Sequence, residues 1–143
     1  MGVLTLDGRQ EAQGGMDDSG DARALVLVVE DFEDNRFMMR RLLEMSGYRV
    51  VEAVNGKQAV ESAETELPDI ILMDLSLPQL DGLAATRRIR TQEGSRRVPI
   101  VAVSAHDSAD FHAAALAAGC NEYVTKPIDF DQLVSLLDRL TAK

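Results

Sequence analysis

Three acidic residues, Glu30, Asp31 and Asp74, each stand where a short, strongly apolar run ends. The run 24–29 reads Ala-Leu-Val-Leu-Val-Val and gives way to Glu30 and Asp31. The run 70–73 reads Ile-Ile-Leu-Met and gives way to Asp74. If both runs are buried parallel strands, the three carboxylates converge at one sheet edge. Like charges ~4 Å apart repel by roughly 4 kcal/mol at an effective dielectric of about 20. Lys126, after the short run 123–125, offsets only part of the charge, and a bound dication would cancel the rest. An oxygen-only donor set without His or Cys points to Mg²⁺ rather than zinc. A carboxylate can also act as a nucleophile and form an aspartyl phosphate. Asp74 is central enough for that role, with Lys126 and the Ser104 hydroxyl placed to hold phosphoryl oxygens.

The elements that must position these residues alternate strand with helix. Strands are expected over 24–29, 49–53, 70–73, 98–103 and 123–125. Helices are expected over 34–45, 55–65, 83–90, 107–118 and 129–140. The first helix combines an apolar stripe (Phe37, Met38, Leu42, Met45) with a basic face (Arg36, Arg40, Arg41). Gly47 and Gly119 are helix stops, and Asn55 with Gln58 and Asp129 with Gln132 are capping pairs. Ser76 to Gly82 reads as a loop, and Pro99 enters the fourth strand. Continuous apolar runs fit strands covered on both faces, which is the pattern of a parallel sheet between helix layers. Right-handed crossovers then favour an α/β, flavodoxin-like doubly wound sheet with strand order 2-1-3-4-5. Its crevice lies at the carboxyl ends of strands 1 and 3, where Glu30, Asp31 and Asp74 fall, flanked by Ser104 and Lys126.

The bulk composition narrows the function classes. The chain has 143 residues, 45% of them hydrophobic but only 4% aromatic, which suits one domain with an aliphatic core. A net charge of −9 argues against direct binding to nucleic acid or to an anionic membrane surface. Cys120 is the only cysteine, so no internal disulfide can form and a reducing, cytoplasmic setting is expected. No apolar run approaches transmembrane length and no secretory h-region is present. Residues 1–23, with five acidic side chains and several glycines, read as a flexible tail before a domain at 24–143, and Met16 is an alternative start.

Taken together, Val28-Val-Glu-Asp31, Ile71-Leu-Met-Asp-Leu-Ser-Leu-Pro78 with Asp81-Gly82, Val101-Ala-Val-Ser-Ala105 and Tyr123-Val-Thr-Lys-Pro127 resemble a response-regulator receiver domain of two-component signalling. The resemblance spans 24–142. It implies that Asp74 is the phosphoacceptor, that Asp31, Asp74 and the backbone carbonyl of Ser76 ligate Mg²⁺, and that Glu30 acts through a metal-bound water. It further implies that Lys126 pairs with the phosphoryl group and that Ser104 and Tyr123 form the switch. The Lys126–Pro127 bond is expected to be cis. Ser76 and His106 fall at positions that influence phosphate lifetime in such domains.

Each residue also has a plainer reading. Asp31 suits a helix cap, Ser104 a turn, Lys126 a solvated surface and Tyr123 a half-buried strand aromatic. His106 and His112 read as solvent-facing helix residues with no metal spacing, and Cys120 as a small core residue. Only the joint pattern favours a site.

The expected function is a stand-alone receiver. It takes a phosphoryl group from a histidine kinase or histidine phosphotransfer protein and signals to an output partner or along a phosphorelay. It is expected not to be an enzyme in its own right, and to be a monomer or a phosphorylation-dependent homodimer. Only one helix's length follows Lys126, so no output domain is expected there. The alternatives are a small aspartyl-phosphate-forming phosphohydrolase, which would want an acid where Ser76 stands, a non-phosphorylated scaffold, and an FMN module. The acidic stretch Glu30–Asp34 would repel the phosphate of FMN.

Overall fold

A computed structural model describes residues 23–77 and 81–142; the expected tail falls almost wholly outside this range. Five strands alternate with five helices: β1 (Leu25–Val29), α1 (Glu33–Met45), β2 (Arg49–Ala53), α2 (Gly56–Glu66), β3 (Ile70–Asp74), α3 (Gly82–Thr91), β4 (Ile100–Ser104), α4 (Ala109–Ala118), β5 (Glu122–Thr125) and α5 (Phe130–Thr141). All pairings are parallel and the strand order is β2-β1-β3-β4-β5, as expected.

The strand period of two sorts the core into two layers. Leu27, Val29, Ile71 and Met73 face Ala59 and Ala63 of α2, Ala85 and Ile89 of α3, and Ala115 of α4. Val26, Val28, Ile70 and Leu72 face Leu43 of α1 and Leu133 and Leu137 of α5. Each fully buried aliphatic side chain contributes ~1.5–3 kcal/mol, so the central strands β1, β3 and β4 are fixed by burial on both faces. Small alanines on α2, α3 and α4 let those helices lie close to the sheet.

Local chemistry sets most boundaries. Asn55 Oδ1 accepts from the Gln58 N–H at 2.8 Å, while Gln58 Oε1 accepts from the Val54 N–H at 3.0 Å. Asp129 caps α5 through the Gln132 N–H, and Gly119 ends α4 at φ +117°. Three expectations change. Helix α4 begins at Ala109, not 107, because Ser108 Oγ accepts from the Phe111 N–H. Pro99 precedes β4 rather than entering it. Asp81 caps α3 through the Ala84 N–H, so Gly82 opens a helix instead of closing a loop.

The basic face of α1 is also not free. Arg36 Nε lies 3.1 Å from Glu52 Oε1, and Arg40 Nη1 lies 2.9 Å from Glu52 Oε2. Burial works against the Glu52 charge, but Arg40 and Arg36 together hold its carboxyl below the usual range. One carboxylate on β2 thus ties down two of the three arginines, and Arg41 lies 5.8 Å from the Phe37 ring centroid.

Candidate functional site

Strands β1 and β3 are neighbours with Val29 opposite Met73, so the chain delivers Glu30 and Asp74 side by side at the next step. Carboxylate oxygens of Glu30, Asp31 and Asp74 come within 4.8 Å of one another. Asp74 is buried, Glu30 half-buried and Asp31 exposed. Asp31 is not a helix cap: the N-cap of α1 is Phe32, which makes no side-chain cap bond. Glu30 Oε2 instead accepts from the Phe32 N–H at 3.1 Å.

Burial pushes the Glu30 carboxyl above the usual range; the Phe32 N–H opposes the shift, Asp74 adds to it, Lys126 opposes and Asp31 adds. The crowding is thus felt as a cost of charging Glu30. Asp74 Oδ1 accepts from the Ser76 N–H at 2.9 Å. Lys126 Nζ lies 3.6 Å from Asp74 Oδ2 and 3.8 Å from Glu30 Oε1. One ammonium therefore serves two carboxylates, and the donor set of hard oxygens fits a small divalent cation. The Lys126–Pro127 peptide bond is cis.

Ser104 follows Val103, the register partner of Asp74, and is 1% exposed. Its Oγ accepts from the His106 N–H at 3.1 Å. The Tyr123 hydroxyl donates to the His106 carbonyl at 2.6 Å. The Tyr123 ring is half-buried against the His112 imidazole, with centroids 3.8 Å apart. His106 is therefore an exposed residue of the loop before α4, not a helix residue, and stacks on Phe111 at 4.4 Å. His112 lies on α4 but is half-buried, not solvent-facing, because α4 packs that face on β5. Histidine spacing alone carried no sign of either contact. Cys120 is buried in the core, as its type suggests.

A cleft of about 350 Å³ opens beside Glu30, Asp74 and Lys126, between α1 and the segment 126–130. Met38, Met39, Leu42, Ile128 and Phe130 supply much of its apolar wall. Gly82 packs beneath the site: a Cβ there would sit 2.5 Å from the Asp74 carbonyl oxygen and 2.7 Å from Leu75 Cα. No helix among the described residues is long and apolar enough to cross a membrane.

Comparison with known proteins agrees with this arrangement. The family model for the response regulator receiver domain matches residues 26–138. The polar-differentiation response regulator DivK of Brucella anthropi is 34% identical over 112 residues, covering 78% of this chain and 91% of that protein. The receiver domain of the sensor histidine kinase PA1611 from Pseudomonas aeruginosa superposes with a TM-score of 0.79 at 43% identity. That match covers 85% of this chain and 100% of the other, whose crystal structure has a magnesium ion coordinated in the active-site cleft. The chemotaxis protein CheY4 of Vibrio cholerae gives a TM-score of 0.79 at 28% identity over 83% of this chain and 99% of that one. With the sheet order, the acidic cluster and the matched residues in agreement, the chain belongs to the response-regulator receiver family.

Proposed function

We propose that this chain is a receiver that accepts a phosphoryl group on Asp74 from a phosphohistidine donor and signals through a conformational switch to a partner protein. The observation that carries this reading is the joint placement of three carboxylates within 4.8 Å of one another and of Lys126 Nζ 3.6 Å from Asp74. Asp31, Asp74 and the Ser76 carbonyl would hold Mg²⁺, with Glu30 acting through a water. When bound, the cation offsets charge on the carboxylates and on the transferring phosphoryl oxygens.

A carboxylate oxygen of Asp74 attacks phosphorus as the P–N bond to the donor imidazole breaks, and the nitrogen keeps the electron pair. Lys126 neutralises charge on the phosphoryl group. Ser104 Oγ accepts from the His106 N–H, so its own proton remains to be donated to a phosphoryl oxygen. Hydrolysis of the acyl phosphate reverses the state, with Ser76 and His106 flanking the path of the attacking water. The apolar cleft beside α1 suits a side chain from a donor helix. The buried thiol of Cys120 fits a cytoplasmic setting, and pairing of two phosphorylated copies is a route to output. A phosphohydrolase reading finds no support at Ser76, which offers no general acid.

Intact mass after incubation with Mg²⁺ and phosphoramidate tests the proposal. The parent should gain one phosphoryl group, and chelation of the metal should nearly prevent it. Equal labelling of Asp74→Asn would refute the assignment.

A further inference from the structure

Five residues on the α4–β5 side form a chain of contacts that phosphoryl transfer to Asp74 does not by itself require. The His106 peptide is held at both ends: its N–H on Ser104 Oγ at 3.1 Å and its carbonyl under the Tyr123 hydroxyl at 2.6 Å. The phenol in turn lies against the His112 ring, with centroids 3.8 Å apart and planes 23° apart. The neighbouring Phe111 stacks on the His106 ring at 4.4 Å and 14°. One turn of α4 therefore grips both the loop and the tyrosine that closes on it.

His112 Nε2 is buried and has no hydrogen-bond partner among the described residues. Burying a polar atom unpaired is costly, and such atoms call for an explanation. A polar bond at that nitrogen does not hold the ring. What the ring does offer is a flat face, matched to the face of Tyr123. Stacked aromatic pairs stabilise one another beyond the area they bury.

We propose that His112 is a positioning residue for the switch: its ring holds the Tyr123 phenol against the His106 carbonyl and so keeps the 105–108 loop closed on Ser104 before phosphorylation. The inference rests on the phosphoacceptor reading for the meaning of the switch, but the contact itself is independent of it. The closed loop leaves the Ser104 proton free and its oxygen oriented, which pre-organises the hydroxyl for a phosphoryl oxygen.

Tyrosine fluorescence offers a direct test. The chain has two tyrosines and no tryptophan. Tyr48 is 5% exposed, so acrylamide quenching reports mainly on Tyr123. Parent, His112→Phe, His112→Ala and His112→Leu are compared after circular dichroism shows each to be folded. Leu keeps apolar volume without a ring face and guards against a cavity effect in Ala. A stack of this kind shifts the held population by about 2- to 10-fold. Without phosphodonor, Ala and Leu should be quenched more readily, while Phe matches the parent. With Mg²⁺ and phosphoramidate, Ala and Leu should return toward parental protection. Parental quenching in the Leu variant, or failure of Phe to restore it, would overturn the proposal. The mass of the same samples separates the two readings: absence of an adduct in the parent refutes the phosphoacceptor assignment, while the comparison without donor still decides the role of His112.

Discussion

Lys126 Nζ reaches to 3.6 Å from Asp74 Oδ2 although β5 and β3 are separated by β4. The ammonium is a third exposed and the carboxylate almost fully buried. It bridges Asp74 and Glu30 and is the one positive side chain within ion-pair distance of both among the described residues.

Lys126→Met should therefore act on chemistry more than on folding. Solvent screening limits the pair's contribution to stability to ~1 kcal/mol or less. Loss of positive charge at the phosphoryl group should slow adduct formation by about tenfold or more. Thermal melts and time-resolved intact mass separate the two effects.

Glu30 gives a pH dependence whose sign follows from burial. Its carboxyl is raised in the folded protein, first by burial, with Asp74 and Asp31 adding to the shift. The folded state thus holds the proton more tightly than the unfolded chain. Without metal, its contribution to stability is most favourable below the ordinary glutamate value and is lost as pH rises through the raised value. Glu30→Gln should remove that decline and make the metal-free protein more stable at neutral pH. Urea midpoints in chelator from about pH 4, at the ordinary carboxylate range, up to about pH 8 would show it. A variant whose profile parallels the parent's would exclude Glu30 as the source.

Glu52 has the opposite sign. Burial opposes its charge, yet Arg40 and Arg36 hold its carboxyl below the usual carboxylate range. Its stabilising contribution is present above 4.5 and is lost as pH falls through the depressed value. Glu52→Gln should cost about 1 kcal/mol at neutral pH and little in acid. Arg40 keeps Glu44 and Arg36 keeps the Glu30 carbonyl, so only the Glu52 contribution is removed, and chemical-denaturant curves at two pH values check it.

Gly82→Ala should destabilise the site end of the sheet. The added carbon would stand 2.5 Å from the Asp74 carbonyl oxygen and 2.7 Å from Leu75 Cα, both backbone atoms that cannot swing aside. A cost of about 1–3 kcal/mol is expected from overpacking. Slower labelling of Asp74 should accompany the lower melting temperature, because β3 must shift where it carries the nucleophile.

Several features were legible in the chain itself. Apolar runs such as Ile70–Met73 announce strands buried on both faces, and Glu30, Asp31 and Asp74 stand out because carboxylates end those runs. Asn55 and Asp129 announce helix starts through bonds within four residues. These signals are local, so spacing and residue type carry them. Ser108 and Asp81 were equally local caps, but the Ser-Ala-His-Asp stretch and the Asp-Gly pair read more naturally as extended loop.

Other features exist only once distant segments pack. Arg36 and Arg40 read as a wet basic face until β2 brings Glu52 beneath them. His112 reads as a surface residue until α4 lays it on Tyr123, and Gly82 as a turn glycine until α3 presses its backbone on Asp74. The sequence by itself determined the order of elements, the sheet's double-sided burial and the identity of the charged groups, because backbone period and hydrophobicity act along the chain. The tertiary structure alone decided which charges neutralise which and how Ser104 is linked through His106 to Tyr123 and His112. Coulomb and stacking interactions depend on distances of a few ångströms between residues far apart in sequence.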